Sequence, residues 1–452
     1  MGNTKKINDS AAMRWAALGI VAFTMMAAYY VNDIMAPLKS MLESSTLNWS
    51  STEFGFFTGS YSFLNVFLLM LIWGGLILDK YGIRFTGILA TLLMVVGTGV
   101  EWYAITYLQD PTQLCFGYKE SVFIASCGFS VFGVGAEVAG ITVTKIIAKW
   151  FRGKEMATAM GVQVALARVG SQVAYSVAIP LATNFKIQTP VLIGFLLLIG
   201  GAVSFFMFTF MDKKLDKQEW SSEKSEGDEE EQFSFKDVKN ILGNLGFWLI
   251  ALLCVLFYSC IFPFQKFASE LLVSKYSIDS QIAGIFVGLP ALGALILTPV
   301  FGSIVDKKGK AATIMIIGAA MLIFVHFTYS LPFINNWIVA IILMLVLGIA
   351  FSLVPSAMWP SVAKIFPQNQ LGTAYALIFF IQNIGLWGIP TLIGWVLDTY
   401  CITEKTATYT HYNYTLPMII FTIIATLSLF TAIALRWANK KNNYGLEQPN
   451  IK

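Results

Sequence analysis

The chain is poor in charged side chains, which make up only 12% of its 452 residues. A soluble globular domain carries about 25% charged residues. Hydrophobic residues account for 56% of the chain, and its mean hydropathy is +0.68. Such a chain has too little polar surface to cover a folded domain in water. The scarcity of charge therefore excludes a soluble protein and indicates a membrane protein.

Histidine and cysteine are also scarce, with two and five residues respectively, and neither type clusters at the spacing of metal ligands. These residues do not form a catalytic arrangement around a nucleophilic side chain, so we expect no metal site and no enzymatic activity. The phosphate-binding pattern G-x-x-x-x-G-K-[ST] is absent, which argues against ATP as an energy source, and we predict no other cofactor. A net charge of +4, distributed over short connecting segments, gives no indication of a nucleic-acid partner.

What the chain does contain is long apolar runs, each of about 20 residues or more, the length that crosses a bilayer. Six runs are followed by a break and by six further runs. We number the predicted spans 1 to 12; they cover residues 13–38, 53–78, 84–107, 120–148, 156–181, 189–211, 243–270, 278–304, 312–331, 336–363, 371–397 and 415–437.

The break, residues 212–240, holds 16 charged residues in 29 and no apolar run. A segment of this composition buries little apolar surface, so we predict a charged cytoplasmic linker between an N-terminal half, 1–211, and a C-terminal half, 241–452. With the linker left out, fifteen lysines and arginines fall on the side of the termini and five on the other side. This bias predicts a multi-pass protein with both termini in the cytoplasm.

The two halves repeat a loop pattern. Span 2 is followed by Gly75-Leu-Ile-Leu-Asp79-Lys80-Tyr-Gly82-Ile-Arg84, and span 8 by Gly302-Ser-Ile-Val-Asp306-Lys307-Lys308-Gly309-Lys310. Asp79 and Asp306 are 227 residues apart. The pattern G-x-x-x-D-[RK]-x-G-x-[RK] is typical of the major facilitator superfamily. Its duplication predicts an all-α membrane protein with the major facilitator fold, in which two six-helix halves are related by pseudo-symmetry.

These loops are the predicted gate on the cytoplasmic side. We expect Gly75 to let helices approach closely, Asp79 to pair with a nearby arginine, and Gly82 to allow a tight turn. The further predicted gating residues are Arg84, Gly302, Asp306 and Lys307, together with Pro263, whose missing N–H predicts a hinge in span 7.

Charged residues deep in a membrane are costly and mark functional sites. Glu137 in span 4 and Arg168 in span 5 both lie about 17 Å from the inner ends of their predicted spans, at about 1.5 Å per residue. They form either a polar binding floor or a structural ion pair between the two spans. Lys266 in span 7 either lines a binding site or extends to the outer interface beside Glu270.

Other polar and aromatic residues reach the same depth. Gln382 and Asn383 in span 11 lie opposite Arg168 by the repeat offset, and Trp359 in span 10 precedes a proline. Tyr30 and its neighbour Tyr29 in span 1 are also near mid-depth. The predicted substrate site therefore comprises seven residues: Glu137, Arg168, Trp359, Gln382, Asn383, Tyr30 and Lys266.

Two blocks of sequence resemble one branch of the superfamily, the lysosomal dipeptide uniporters. The first runs from Gly133-Val-Gly-Ala-Glu137 through Lys149-Trp-Phe-Arg-Gly-Lys-Glu155 to Ala167-Arg168-Val-Gly-Ser171. The second comprises Met358-Trp359-Pro360, Gln370-Leu-Gly-Thr-Ala-Tyr375 and Ile381-Gln-Asn-Ile-Gly385. The resemblance implies transport of dipeptides through Glu137, Arg168 and Trp359. It also leaves room for an accessory membrane subunit.

The sequence departs from that branch in two respects. It lacks the extended N-terminal tail with an acidic dileucine signal, so the expected location is a cell (inner) membrane, with the lysosomal membrane as the alternative in a eukaryote. It also carries Lys145 and Lys266 where the branch has uncharged residues.

The predicted function is transport of dipeptides or small peptides by alternating access, as a uniporter or with protons coupled through Glu137 or Asp33. Two alternatives remain open: a carrier of organic anions that uses Arg168, Lys145 and Lys266, and a transport-inactive sensor or assembly partner.

Overall fold

The computed structural model describes residues 6–151, 154–220, 235–406 and 410–449. Within these residues, eleven helical stretches are long and apolar enough to cross a membrane. The longest, Met70–Tyr107, contains two spans, because Gly82 has a φ of 76° and interrupts the helix. Counted at this break, the described chain has the twelve predicted spans.

Most spans are single helices, but spans 2 and 7 are assembled from pieces. Span 2 consists of Ser51–Ser60, Phe63–Phe67 and the part of Met70–Tyr107 before Gly82, and span 3 is the part after Gly82. Span 7 consists of Leu245–Ser259 and Phe262–Tyr276. The other spans, in order, are Ala11–Ile34, Glu120–Trp150, Met156–Asn184, Thr189–Trp220, Ser280–Lys308, Ala311–Ser330, Trp337–Ile365, Gln368–Tyr400 and Thr415–Asn442.

Short elements connect the spans. Two 3₁₀ helices, Ile7–Asp9 and Ala36–Leu38, and two short α-helices, Lys39–Ser44 and Phe235–Leu242, lie at span ends. Two antiparallel hairpins pair Leu114–Cys115 with Tyr118–Lys119 and Ile402–Lys405 with Thr410–Tyr412. Both hairpins lie on the side away from the chain ends. We call this the far side and the opposite one the terminal side.

Spans 1–6 and 7–12 form two bundles that meet along two pairs of helices. Span 2 packs against span 11, and span 5 packs against span 8. At the first contact the backbones touch: a Cβ on Gly55 would lie 2.4 Å from the Pro390 carbonyl oxygen, and one on Gly394 would lie 2.2 Å from that of Ser51. Only glycine permits so close an approach, which joins the halves on the far side.

The predicted linker begins too early. The helix of span 6 continues past residue 211 to Trp220, and its carboxylates at Asp212 and Asp216 contact Arg84 and Lys149. Their i,i+4 spacing places both on one helix face, where opposite charges stabilise the extension. Residues 221–234 lie outside the described part of the chain, and Phe235–Leu242 forms a helix that packs against spans 7 and 11.

Candidate functional site

A cavity of about 460 Å³ lies between the two halves. Its volume falls in the range of about 300–1,000 Å³ that is common for small-molecule sites. One wall comes from spans 1, 2, 4 and 5 and the other from spans 7, 10 and 11. Six of the seven predicted substrate residues line it: Glu137, Arg168, Lys266, Trp359, Gln382 and Asn383.

The breaks in spans 2 and 7 shape this cavity. Pro263 lies in the first turn of Phe262–Tyr276, where a missing N–H costs least, so the chain restarts its helix there and turns Phe262 and Lys266 to the cavity. Span 2 breaks after Tyr61, whose carbonyl oxygen would lie 2.1 Å from a Cβ on Gly133. This glycine lets span 4 approach the break, one turn before Glu137.

Glu137 is held by a tyrosine that the sequence analysis did not identify. The Tyr61 hydroxyl donates to Glu137 Oε1 at 3.0 Å, and both side chains line the cavity. Among the described residues, no lysine or arginine lies within ion-pair distance of this carboxylate, so its negative charge stays available to a bound cation.

Arg168 lies between two aromatic rings, one from each half. Its guanidinium carbon is 4.7 Å from the centroid of Phe351 and 5.5 Å from that of Tyr29. Cation–π contact orients the group without using its N–H donors. Within the described chain Arg168 has no ion pair or hydrogen bond, and the structural pair with Glu137 does not form. Its planar fork can therefore accept a carboxylate from the cavity.

The C-terminal half contributes hydrogen-bonding groups and a flat aromatic surface. Trp359 stacks on Phe379 with centroids 4.9 Å apart, and its indole N–H donates to the Tyr258 hydroxyl at 3.3 Å. Asn383 donates to the Phe379 carbonyl at 2.9 Å, while its buried Oδ1 has no partner in the structure. An acceptor without a partner beside a cavity is suited to an N–H of a bound molecule.

Lys266 is already paired. Its ammonium group lies 2.8 Å from Asp33 Oδ1 and 2.6 Å from the Asn32 carbonyl oxygen, both in span 1. The prediction that it extends toward the outer interface beside Glu270 is therefore wrong. Since Asp33 belongs to the N-terminal half and Lys266 to the C-terminal half, the pair joins the halves at the cavity.

The placement of Tyr30 in the site is not supported. Its hydroxyl donates to the Pro190 carbonyl at 3.2 Å, and its ring packs over Gly194 in span 6. Adjacent residues of a helix point about 100° apart, so only one of the two tyrosines can face the cavity. Tyr29 is that residue.

The loop after span 2 makes different pairs from those predicted. Asp79 pairs with Lys145 of span 4 at 3.2 Å and not with an arginine, which also removes Lys145 from any set of anion ligands in the cavity. Arg84 pairs with Asp216 at 2.6 Å. A Cβ on Gly75 would meet nothing within 4 Å, so its predicted role in close packing is wrong; Gly74, which faces Val138, has that role.

The loop after span 8 has a matching backbone. Gly309 has a φ of 68°, close to the 76° of Gly82, so both copies use glycine for the same left-handed turn. Asp306 is half-buried and Lys307 is exposed. A Cβ on Gly302 would meet nothing within 4 Å, as for Gly75. The C-terminal segment packs on this loop, where the Lys310 N–H donates to the Glu447 carbonyl at 3.1 Å.

Comparison with known proteins places this geometry in a family. A model of the Major Facilitator Superfamily matches residues 18–390. The lysosomal dipeptide transporter MFSD1 is 26% identical in Mus musculus and 27% in Homo sapiens, over 97% of this chain and 90% of each relative. The Gallus gallus MFSD1 is 31% identical over 70% of this chain and 69% of its own length.

Solved structures share the fold at low sequence identity. The nucleoside transporter NupG superposes with a TM-score of 0.70 at 13% identity, covering 93% of this chain and 99% of its own. A D-xylose–proton symporter superposes with a TM-score of 0.67 at 13% identity, over 93% of this chain and 97% of its own. The predicted two-half architecture is confirmed.

Proposed function

Because the chain belongs to the Major Facilitator Superfamily, and within it to the MFSD1 type, we propose that this secondary transporter moves dipeptides across its membrane by alternating access. It is a transporter and not an enzyme. The curated relatives named above are lysosomal dipeptide transporters. In this chain, the charged residues in the cavity support the same activity.

One observation supports the proposal most strongly: Glu137 and Arg168 line the same cavity and do not pair with each other. A dipeptide at neutral pH is a zwitterion, with an ammonium group at one end and a carboxylate at the other. Arg168 binds the carboxylate through a two-pronged charge-assisted contact, and Glu137 binds the ammonium group. Tyr61 keeps Glu137 oriented toward the cavity.

The remaining lining residues suit the middle of a peptide. Asn383 Oδ1 accepts the peptide N–H, and Trp359 with Tyr29 provides apolar surface for side chains of varied shape. None of these contacts is specific for one particular side chain of the bound peptide. A carrier built in this way distinguishes the length and the charged ends of its cargo more than its sequence.

The charge distribution favours a zwitterion over an organic anion. An anion carrier would use Arg168, Lys145 and Lys266 together, but Lys145 pairs with Asp79 away from the cavity and Lys266 pairs with Asp33. Among the described residues that line the cavity, this leaves Arg168 as a cation and Glu137 as an anion without an ion-pair partner. Coupling to protons would run through Glu137, since in this conformation Asp33 is paired with Lys266 and Glu137 has no ion-pair partner among the described residues.

The described conformation suits alternating access. The inter-half contacts reported above lie on the far side, while exposed residues such as Val164 line the cavity toward the terminal side. With both termini in the cytoplasm, as the positive-inside bias indicates, this is an inward-open state.

We favour a cell membrane as the location; a tagged protein imaged beside a lysosomal marker distinguishes it from the lysosomal membrane. An accessory subunit stays a prediction.

The experiment is uptake into proteoliposomes that contain the purified protein. The cargoes are Ala-Ala, N-acetyl-Ala-Ala, Ala-Ala amide and succinate, each with and without a pH gradient. We expect uptake of Ala-Ala alone, because each blocked peptide lacks one charged end. Uptake of succinate in place of Ala-Ala would contradict the proposal. Dependence on the pH gradient would separate proton coupling from uniport.

A further inference from the structure

The far side of the molecule carries a second repeated pattern, distinct from the gate loops. Lys39-Ser-Met-Leu-Glu43 and Lys266-Phe-Ala-Ser-Glu270 are both Lys-x-x-x-Glu, and the two lysines are 227 residues apart. That is also the offset between Asp79 and Asp306. The two segments are therefore equivalent positions of the two halves.

Both segments directly follow an interruption of a span. Span 1 ends at Ile34 and gives way to the 3₁₀ helix Ala36–Leu38 before Lys39–Ser44, and span 7 is broken between Ser259 and Phe262. A proline lies at each interruption: Pro37 is within the 3₁₀ helix, and Pro263 is in the first turn after the break in span 7. Interrupted helices turn more easily than continuous ones, since fewer backbone hydrogen bonds tie the two pieces together.

The shortest ion pair of each lysine is with the opposite half and not with its own glutamate. Lys39 Nζ lies 2.6 Å from Glu270 Oε2, and Lys266 Nζ lies 2.8 Å from Asp33 Oδ1. Both side chains of the first pair are 3% exposed. Each lysine thus crosses the interface between the halves, on the side where the cavity is closed.

Lys39 and Glu270 each also have a second contact within their own half. Lys39 Nζ is 3.7 Å from Glu43 Oε2, its i+4 neighbour, and the Tyr414 hydroxyl donates to Glu270. Lys266 and Glu270 lie four residues apart on one helix, a spacing at which opposite charges meet. Lys39, Lys266 and Glu270 can therefore each have an oppositely charged partner in two arrangements, one across the halves and one within them.

We propose that the two Lys-x-x-x-Glu segments form a partner-exchange gate on the far side. When this side is closed, Lys39 binds Glu270 and Lys266 binds Asp33; when it opens, Lys39 binds Glu43 and Lys266 binds Glu270. Separating a buried ion pair costs several kcal/mol if either charge is left alone. Exchange keeps Lys39, Lys266 and Glu270 paired in both states, so opening of the far side separates only Asp33 from its ion-pair partner.

The exchange gives the two glutamates opposite effects, which makes the proposal testable. Glu270 is needed for the closed state, and Glu43 supplies the partner that Lys39 takes in the open state. Removing the charge of Glu270 therefore favours opening. The change Glu43→Gln favours closure, because glutamine still accepts from the Tyr412 hydroxyl of the C-terminal half, which donates to Glu43 at 2.8 Å, but no longer attracts Lys39. A pair that only stabilised the fold would shift both variants in the same direction.

The reporter is Ser51→Cys in a chain whose five native cysteines are replaced by serine. Ser51 is fully buried at the far-side contact, where its N–H donates to Asp398 of the other half. Opening exposes this position to a water-soluble maleimide. The matched control is Lys119→Gln, because Lys119 also forms a 2.6 Å far-side pair, with Glu53, but within the N-terminal half.

We expect Lys39→Gln and Glu270→Gln to raise the initial labelling rate of purified protein about tenfold, and Glu43→Gln to lower it about threefold, as shifts of a two-state population. Lys119→Gln should stay within about twofold of the parent, because its pair with Glu53 lies within one half and does not hold the two halves together. Elution as a single species and a single cooperative melting transition establish that each variant is folded. If Lys39→Gln fails to fold, the opposite responses of Glu270→Gln and Glu43→Gln still decide.

Equal responses of those two variants, or a response of the control as large as that of Lys39→Gln, would overturn the proposal. No cargo is used, so the outcome does not depend on dipeptide transport.

Discussion

The far and terminal sides of this carrier hold their charges in opposite ways. On the far side, Lys39 and Lys266 each reach across to the other half. On the terminal side, the pairs of Asp79 and Arg84 stay within the N-terminal half. Pairs between halves hold a passage shut, whereas pairs within a half are compatible with an open passage. The comparison shows how a single structure reveals which side of a carrier is open.

The first way to break this comparison is to prevent far-side closure, and we expect Gly394→Ala to have the largest effect. The new methyl group would lie 2.2 Å from the Ser51 carbonyl oxygen, and this obstacle is backbone. We expect Ala-Ala uptake by proteoliposomes to fall by about tenfold or more, since overpacking commonly costs about 1–3 kcal/mol.

The matched control for that change lies in the same span. A Cβ on Gly388 would meet nothing within 4 Å. Gly388→Ala should therefore transport at the parent rate. This result would show that the loss of uptake in Gly394→Ala does not come from the loss of a flexible glycine in the helix. Equal loss in both variants, or normal uptake by Gly394→Ala, would mean that the far-side contact does not govern transport.

On the terminal side, Asp212 tests whether pairing within one half stabilises that half. It is 1% exposed and accepts hydrogen bonds from Trp150 at 3.0 Å and Lys149 at 2.8 Å. Asp212→Asn should lower the free energy of unfolding by about 3 kcal/mol, as expected for breaking a buried pair.

The neighbouring Asp216 serves as the comparison for Asp212. Asp216 is 39% exposed and contacts the same two basic residues. Asp216→Asn should cost about 0–1 kcal/mol, because water screens an exposed pair. Denaturant titration of both variants measures the difference. Similar losses would show that burial does not set the strength of this network.

The smallest effect is expected at the gate loop. Asp79→Asn should leave folding and Ala-Ala binding intact and slow uptake by roughly threefold, because the loop contributes when the terminal side closes; one exposed pair is worth about 0.2–1 kcal/mol. Its pair with Lys145 is partly exposed, so stability should change little. Binding and uptake assays on one preparation separate the two effects. Parental uptake rates in well-folded Asp79→Asn would count against a gating role.

Several features of this structure could be predicted from sequence because they depend on local pattern. Span length, the Gly82 turn and the break at Pro263 follow from hydrophobic run length, glycine at a loop and proline in a helix. Counting residues from the inner end of each span predicted that Glu137 and Arg168 lie at the same depth, and both line the cavity. These properties need no knowledge of how the two halves are oriented.

Other features depend on rotation and on distant pairing, which local pattern does not contain. Tyr29 and Tyr30 share a depth and differ only in the direction they face around the helix axis. Lys39 pairs with Glu270 across the two halves, and no local rule connects residues so far apart. The local charge pattern predicted that a solvated linker begins at Asp212. The ion-pair partners of this residue, Arg84 and Lys149, come from other spans, and a local pattern does not contain them.

Whether Arg168 binds the carboxylate of the cargo is decided by the affinity of Ala-Ala for the parent and for Arg168→Lys, with Ala-Ala amide as the comparison. Lysine keeps the charge and loses the two-pronged geometry. Since one charge-assisted contact is worth roughly 1.5–3 kcal/mol, we expect the Kd for Ala-Ala to rise by about tenfold or more. The amide should bind the parent weakly and lose little further in the variant. Two results would contradict a role of these residues in the substrate site. One is an unchanged Kd for Ala-Ala in folded Arg168→Lys; the other is uptake at the parental rate by the double variant Glu137→Gln with Arg168→Gln.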